Sequence, residues 1–149
     1  MKIYIGADHN GFDFKTKIID HLQRSGYEVV DEGGNGNDPA DDFPRLAGKV
    51  VSAMLADNAV GSYGILICGS GQGMCIAANR FKGIRASICW DLEEARASRN
   101  DDDANILCLS SRYTKPNDAI AIVQAWLSTP FAGAPRFKRR IQQLDELGG

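Results

Sequence analysis

The chain has 149 residues, of which 44% are hydrophobic and 24% are charged. This length and composition are typical of one globular domain and exclude an intrinsically disordered, collagen-like or coiled-coil chain. The chain has 17 basic and 19 acidic residues, so its formal net charge is −2. This charge argues against a general nucleic-acid binder, which would be strongly basic.

Short apolar runs rich in β-branched residues alternate with helical patterns, which is typical of repeated strand–helix–strand units. The predicted strands are Ile3–Ile5, Glu28–Val30, Ile65–Ile67, Arg85–Cys89 and Ile106–Leu109. The predicted helices are Phe12–Arg24, Pro44–Ala56, Gly73–Phe81, Leu92–Asn100, Asn117–Leu127 and Pro135–Leu147. We therefore expect an α/β fold, a Rossmann-like doubly wound parallel sheet of about five strands with helices on both faces.

No linker, repeat or low-complexity tract divides the chain, so residues 1–149 are expected to form a single domain. The last predicted helix, about residues 135–147, has no strand after it, and we expect it to pack on a partner subunit. A strand pattern begins at the first residues, and no apolar run approaches the ~20 residues of a membrane span. These features indicate a cytoplasmic protein that does not bind a membrane.

The four cysteines indicate a reduced protein rather than a disulfide or zinc scaffold, because none belongs to a Cys-x-x-Cys pair. They lie in or beside apolar runs and are Cys68, Cys75, Cys89 and Cys108.

Three polar clusters follow predicted strands, at residues 8–11, 68–73 and 110–112. Because the carboxyl ends of parallel strands meet at one edge of a sheet, we expect these clusters to converge there.

The strongest local signal is the buried strand that runs into the glycine-rich turn at 68–73 and then into a helix. Glycines let backbone N–H groups converge on an anion, and a helix N-terminus adds partial positive charge. A thiol in that position loses its proton more easily, so Cys68 is a candidate base or nucleophile. The structural alternative is a free cysteine that only ends a buried strand.

Three kinds of chemistry fit such a loop to different degrees. A cysteine phosphatase needs an arginine to close a Cys-x5-Arg loop, and Met74 occupies that place. A dinucleotide site needs G-x-G-x-x-G in the first strand–helix unit, whereas this chain has G-x-G-x-G in the third. Asp91, after the next strand, could still mimic the ribose-binding acid of such a site. The third is an anion hole for an enolate-like intermediate beside a general base.

Two further features suit a small phosphorylated ligand. His9 lies just past a predicted strand with Asp8 beside it, although a loop histidine without a special role is equally compatible with this position. Arg136 and Arg140 follow Pro135 at a spacing of four residues, which places both guanidinium groups on one helix face for a single phosphate. The acidic run at 101–103 is not expected to bind a metal, because consecutive carboxylates cannot all point at one ion.

Several segments in one order extend over essentially the whole chain and carry a resemblance to a known family. They are GADHNG at 6–11, DFP at 42–44, ICGSGQG at 67–73, IAANR at 76–80, GIRA at 83–86, NIL at 105–107, and the later pairs Ser111 with Arg112 and Arg136 with Arg140. In these features the chain resembles the ribose-5-phosphate isomerase B family, within the larger group that includes the galactose-6-phosphate isomerase subunits.

The resemblance implies isomerisation of an aldose phosphate to a ketose phosphate through a cis-enediolate, without a cofactor or metal. Ribose 5-phosphate is the first expected substrate. The active site would be shared across a homodimer, with a tetramer as the alternative assembly.

The resemblance also implies roles for individual residues. Cys68 matches the cysteine that moves the proton between C1 and C2, whereas some relatives use a glutamate at the place of Met74. Asp8 matches a residue that contacts sugar hydroxyls. The backbone amides that would hold the enediolate oxygen belong to Gly69, Ser70, Gly71, Gln72 and Gly73. The residues that match phosphate-binding positions are His9, Arg112, Arg136 and Arg140.

Three substrate-site positions depart from the family pattern. Asp101 replaces the histidine credited with opening the furanose ring, Asp102 replaces the adjacent asparagine, and Phe43 replaces a frequent tyrosine. A carboxylate can accept a proton but is a poor proton donor at neutral pH. Either Asp101 takes over ring opening, or the substrate is another sugar phosphate, such as a tetrose or hexose phosphate. A non-catalytic phosphosugar- or nucleotide-binding protein is the remaining alternative.

Overall fold

The computed structural model describes residues 1–36, 38–57 and 61–148. Within these residues the strands are β1 (Lys2–Ala7), β2 (Glu28–Gly33), β3 (Ser62–Cys68), β4 (Ala86–Ile88) and β5 (Ile106–Ser110). The helices are α1 (Phe12–Arg24), α2 (Phe43–Ala56), α3 (Gln72–Ala78), α4 (Leu92–Asp102), α5 (Pro116–Ser128) and α6 (Pro135–Asp145). None of the described helices is both long and apolar enough to cross a membrane.

The strands form one sheet in the order β2-β1-β3-β5-β4, and every neighbouring pair is parallel. Side chains of the central strands alternate between two apolar layers: Ile65 and Ile67 face α1, α4 and α5, whereas Leu66 and Cys68 face α2 and α3. Burial on both faces explains why the strands are almost continuously apolar. The predicted doubly wound α/β fold is confirmed.

Every predicted helix and strand is present, and the differences lie at their ends. The helix predicted over Gly73–Phe81 already ends at Ala78. Its end is set by Asn79, whose side-chain amide accepts a hydrogen bond from the backbone N–H of Ala86 and donates one to the carbonyl of the same residue. Helical periodicity does not predict this helix end, because the end depends on hydrogen bonds between Asn79 and Ala86, seven residues further along the chain.

The order of the strands reverses between β1 and β3, since β2 lies on one side of this pair and β5 and β4 lie on the other. In open α/β sheets, ligands bind beyond the carboxyl ends of the two strands at such a reversal. Asp8 and His9 follow β1, and the glycine-rich loop follows β3. The fold therefore places two of the predicted clusters at the expected ligand crevice.

A buried lysine fastens the chain beside this crevice. The side chain of Lys15, on α1, is only 2% exposed. Its Nζ donates hydrogen bonds to the Asp31 carboxylate and to the carbonyls of Gly33 and Gly34, at 2.9, 2.9 and 2.6 Å. Gly34 has a φ of +89°, and a Cβ there would lie 1.9 Å from the carbonyl oxygen of Ala7. Lys15 thus holds the turn after β2 against the end of β1.

We expect Lys15→Met to lower the free energy of unfolding by about 2–4 kcal/mol, because two carbonyls lose their buried donor. Lys17→Met on the exposed side of the same helix is the control and should change stability by less than about 0.5 kcal/mol. Urea unfolding followed by circular dichroism measures both variants. Equal stability of the two variants would contradict a structural role for Lys15.

Candidate active site

The turn after β1 is folded around the buried carboxylate of Asp8. One carboxylate oxygen accepts hydrogen bonds from the backbone N–H groups of Asn10 and Gly11, at 3.0 and 3.2 Å. The Asp8 N–H donates to the carbonyl of Ile67 at 3.2 Å, which joins this turn to β3 just before the glycine-rich loop. The clusters after β1 and β3 therefore meet, as predicted.

Cys68 ends β3, and its sulfur accepts a hydrogen bond from the backbone N–H of Gly71 at 3.1 Å. Such a donor stabilises negative charge on the sulfur. Gly71 has a φ of +77°, and a Cβ at this position would lie 2.8 Å from the side chain of Ile88 and 3.2 Å from the backbone of Leu109. Only glycine fits this turn, so the position of the donor is fixed by the backbone.

The loop after β5 brings a cation to the same place. The Arg112 N–H donates to the carbonyl of Gly69 at 3.0 Å, and the Ser110 hydroxyl donates to the same oxygen at 2.7 Å. A Cβ on Gly69 would lie 3.0 Å from Nη2 of Arg112 and 3.4 Å from the side-chain nitrogen of Asn10. The guanidinium group therefore lies directly beside the glycine-rich loop.

Phe43 closes the far end of the loop. It begins α2, is 38% exposed, and lies so close to Gly73 that a Cβ there would be 2.6 Å from its ring. The ring presents an apolar edge to the crevice and has no hydroxyl to donate to a ligand.

His9 is held by a carboxylate that the sequence did not single out. Its Nδ1 lies 2.7 Å from an oxygen of Asp41. The hydrogen bond to Asp41 raises the pKa of His9 above its usual value, and the charges of Asp41, Asp8 and Asp38 add to this effect, while desolvation opposes it. The imidazole thus keeps its positive charge to a higher pH than a free histidine, which suits an anionic ligand.

We expect Asp41→Asn to lower the pKa of His9, because the acceptor that stabilises the imidazolium loses its charge. A raised pKa means that the positive charge is present at low pH and is lost as the pH rises through that value, so the loss should come at lower pH in the variant. Proton NMR titration of the His9 ring measures this shift, with His21 as the internal reference. An unchanged His9 titration curve would show that Asp41 does not support the charge.

The remaining predicted residues lie at the opposite edge of the sheet. α4 begins next to the carboxyl end of β4 and ends at Asp102, shortly before the first residue of β5, so Asp101 and Asp102 lie at the amino ends of the strands. The N–H of Ala132 donates to the carbonyl of Asn100 at 3.1 Å, which ties the segment before α6 to the end of α4.

Arg140 on α6 is an electrostatic neighbour of Asp102. The pKa of Asp102 is raised by partial burial and by Asp101, while Arg140 and Arg85 oppose the rise. Arg136 precedes Arg140 by one helical turn. One protomer therefore carries two clusters: a loop cluster (Asp8, His9, Phe43, residues 68–73 and Arg112) and a helix-end cluster (Asp101, Asp102, Arg136 and Arg140).

The acidic run itself is divided among different partners. Asp103 forms ion pairs with Arg99 at 2.8 Å and with Arg85 at 3.5 Å, whereas Asp102 is the neighbour of Arg140. Among the described residues, the potential ligand atoms that lie within 4.8 Å of one another belong to Asp8, His9 and Asp41. His9 and Asp41 are hydrogen-bonded to each other, and the Asp8 carboxylate accepts backbone N–H groups of the turn after β1. All three groups therefore already have protein partners.

Asp91, the candidate ribose acid of a dinucleotide site, has another structural role. Its carboxylate accepts the backbone N–H of Glu94 at 2.8 Å and caps the N-terminus of α4. Met74, at the place where a cysteine phosphatase needs arginine, is fully buried in the apolar layer under α3. Asp91 and Met74 therefore have structural roles, which give no support to the dinucleotide or phosphatase interpretations.

A family model described as Ribose/Galactose Isomerase matches residues 3–144. The chain belongs to this family. It is 44% identical over 137 residues to a probable ribose-5-phosphate isomerase B of Mycoplasma pneumoniae, a match that covers 92% of this chain and 89% of that protein. It is 40% identical over 143 residues to ribose-5-phosphate isomerase B of Escherichia coli, covering 96% of this chain and 93% of that protein.

Solved structures of such isomerases have the same fold. A ribose 5-phosphate isomerase from Thermotoga maritima superposes with a TM-score of 0.92 at 44% identity, covering 98% of both chains. The ribose-5-phosphate isomerase B of Mycoplasma genitalium, solved with bound ribulose-5-phosphate, superposes with a TM-score of 0.91 at 38% identity, covering 97% of this chain and 94% of that one. The resemblance stated from the sequence motifs is confirmed at the level of the family.

Sequence reasoning about this isomerase-family chain missed Asp41, and it placed Asn10 and Ser110 in the polar clusters without giving them a role of their own. Asp41 directly precedes the DFP segment, so its place beside a motif was the available signal. The pairing of Asp41 with His9 spans 32 residues, and no local pattern encodes it. Asn10 and Ser110 act through contacts with Gly69 that only the assembled edge of the sheet creates.

Proposed function

We propose that this chain interconverts ribose 5-phosphate and ribulose 5-phosphate, with Cys68 as the base. The observation that carries the proposal is the Cys68 sulfur at the strand reversal, with the Gly71 N–H as its donor and the Arg112 guanidinium beside the loop. The relatives named as ribose-5-phosphate isomerases, one of them solved with bound ribulose-5-phosphate, support this choice of substrate.

The reaction requires no cofactor. The Cys68 thiolate removes the proton from C2 of the open-chain aldose, and the electron pair moves to give a cis-enediolate. The Gly71 N–H stays with the Cys68 sulfur and the Gln72 N–H with the Ser70 hydroxyl, so the N–H groups of the other loop residues hold the developing oxyanion. They lower the barrier because these donors are already oriented. Return of the proton to C1, together with transfer of the hydroxyl proton from O2 to O1, gives the ketose.

The same proposal includes a second copy of the chain. The loop cluster and the helix-end cluster lie at opposite edges of one protomer, so a complete phosphate grip needs the helix-end cluster of a partner. Trp90 and Tyr113, which follow β4 and β5 at the Cys68 edge, are 60% and 76% exposed, as expected of side chains that a partner covers. We infer a homodimer or tetramer, with α6 packed on the neighbouring subunit, in the cytoplasm.

Asp101 is assigned to ring opening in this proposal, as a base that accepts the ring hydroxyl proton. Asp101 also favours a different substrate, because it stands where the family has its ring-opening histidine. A tetrose 4-phosphate cannot form a furanose, so an enzyme acting on it needs no ring-opening residue. Phe43, which offers no hydroxyl to a longer sugar, points in the same direction. Substrate length is therefore the feature that an experiment must separate.

The test compares turnover of ribose 5-phosphate and of a tetrose 4-phosphate by the wild-type protein and by Asp101→Asn. We expect turnover of ribose 5-phosphate, and a loss in the variant that is larger for ribose 5-phosphate than for the tetrose. Turnover of the tetrose 4-phosphate alone would show that a tetrose phosphate, and not ribose 5-phosphate, is the substrate. Binding of both sugar phosphates without turnover of either would overturn the enzymatic proposal in favour of a phosphosugar-binding protein.

A further inference from the structure

Arg99 is a buried arginine in the last turn of α4, two residues before Asp101. It is 5% exposed, and its guanidinium carbon lies 4.8 Å from the ring centre of Tyr63 and 5.4 Å from that of Trp126. Its Nη2 donates a hydrogen bond to the Tyr63 hydroxyl at 3.1 Å. Aromatic faces attract a cation and fix the plane of a guanidinium group, so Arg99 is a rigid point at the end of α4.

The residue that ends α4 has an unusual backbone conformation. Asp103 has a φ of +47° and a ψ of +45°, and among the residues that the structure describes it is the one non-glycine residue with a positive φ. Glycine is the usual residue in this left-handed position after a helix, because it adopts the conformation without strain. An aspartate there must be held by its surroundings, and such strained residues are concentrated at functional sites.

Two arginines hold Asp103. Arg99 donates from Nη1 to a carboxylate oxygen of Asp103 at 2.8 Å and to the carbonyl of Ala104 at 2.7 Å. Arg85, just before β4, donates from Nε to the Asp102 carbonyl at 3.0 Å and from Nη2 to the Asp103 carbonyl at 2.9 Å. The same Nη2 lies 3.5 Å from the other carboxylate oxygen of Asp103. We call Arg85, Arg99 and Asp103 the arginine clamp.

The arginine clamp fixes the part of α4 that carries Asp101 and Asp102. These two residues directly precede Asp103 in the chain. A glycine in the place of Asp103 would end the helix in the same backbone conformation, so the helix end by itself does not require a carboxylate there. The carboxylate instead ties the end of α4 to the segment before β4 through Arg85. Asp101 and Asp102 are thereby held in a fixed position relative to the sheet.

We propose that the arginine clamp is a set of positioning residues that holds the Asp101 carboxylate in place for opening of the sugar ring. The inference rests on the proposed function. In that function Asp101 accepts the proton of the anomeric hydroxyl, the bond between C1 and the ring oxygen breaks, and the ring oxygen takes a proton from water. A displacement of a reacting group by about 1 Å can cost on the order of 10²-fold in rate, so the clamp acts on catalysis through Asp101.

The first test measures turnover of ribose 5-phosphate by Arg99→Met and by the control Arg96→Met, which replaces an exposed arginine on the same helix. We expect kcat to fall about 10-fold to 10²-fold in Arg99→Met, with little change in KM, and to keep its wild-type value in Arg96→Met. Asp103→Gly is the second variant, because glycine keeps the left-handed conformation while the carboxylate is lost. It should show the same fall in kcat. Wild-type kcat in both Arg99→Met and Asp103→Gly would overturn the proposal.

A second measurement separates positioning from a loss of folded protein. Ribose 5-phosphate also opens spontaneously in water, so a variant that cannot open the ring is limited by that uncatalysed step. We expect the rate with Arg99→Met to reach a ceiling as the protein concentration is raised, whereas the wild-type rate keeps rising in proportion. A lower rate that stays proportional to the concentration of Arg99→Met would indicate a smaller folded fraction and would overturn the proposal.

The double variant of Asp101→Asn with Arg99→Met tests whether Arg99 acts through Asp101. We expect it to be no slower than Asp101→Asn alone, because the residue that Arg99 positions is already lost. A further fall in kcat would show a separate role for Arg99 and contradict the proposal. Wild-type turnover by Asp101→Asn would remove ring opening by Asp101 from the proposed function, and the clamp with it. A loss in Asp101→Asn with full turnover by Arg99→Met would remove the clamp alone.

Discussion

Replacing Cys68 with alanine is expected to reduce kcat for ribose 5-phosphate by about 10²–10⁴-fold, the usual contribution of a positioned acid or base. The reason is that the Gly71 N–H stabilises negative charge on the Cys68 sulfur, whereas the Asp8 carboxylate nearby already accepts the N–H groups of Asn10 and Gly11. KM should change much less, because phosphate binding is assigned to His9 and the arginines. Coupled detection of ribulose 5-phosphate measures both constants.

The control for this variant is Cys89→Ala, which removes a buried thiol from the layer on the other face of the sheet. It should keep kcat within a few-fold of the wild type while losing a little stability. Exchange of the C2 proton with solvent at the wild-type rate in Cys68→Ala would remove Cys68 from the mechanism, even if net turnover were slow.

Mixing two inactive variants is expected to restore activity. Cys68→Ala removes the base from the loop cluster, and Arg140→Ala removes a cation from the helix-end cluster. In a dimer with shared sites, each homodimer has two damaged sites, but a mixed dimer has one site that lacks both residues and one that is intact. Unfolding and refolding the variants together at equal amounts should therefore recover about one quarter of wild-type activity, because about half of the dimers are mixed.

The control mixes the two variants without unfolding, so that subunits exchange slowly and activity should stay low at first. A second control mixes Cys68→Ala with His9→Ala, both in the loop cluster, and should recover nothing. Full activity of Arg140→Ala alone, or failure of the refolded mixture to recover any activity, would contradict a site shared between copies.

Much of the fold follows from the local sequence. The apolar stripe of α1 and the β-branched runs of the central strands predict those elements because burial on one or both faces dictates their residue types. The ends of helices and strands are harder to predict than their existence. The end of α3, for example, depends on the Asn79 side chain, which is hydrogen-bonded to the backbone of Ala86. The edge strand β4 is also shorter than predicted, with only Ala86–Ile88 in the ladder.

The candidate site was predictable only in part. The clusters that follow β1, β3 and β5 converge because parallel strands end at one edge, so their meeting followed from the fold class. The fold class did not predict the His9–Asp41 and Lys15–Asp31 pairs. They join residues 32 and 16 positions apart in the sequence through tertiary contacts. The separation of Asp101 and Arg140 from Cys68 follows from the direction of α4, which runs from one edge of the sheet to the other.

The most direct measurement is proton NMR of ribose 5-phosphate incubated with the wild-type protein in D2O. Abstraction at C2 by a single base predicts that ribulose 5-phosphate appears and that the C2 proton signal of the remaining aldose disappears in an enzyme-dependent way. Both effects should vanish with Cys68→Ala. An unchanged C2 proton signal and no ketose, at a protein concentration at which the sugar phosphate is bound, would contradict isomerisation of ribose 5-phosphate by this protein.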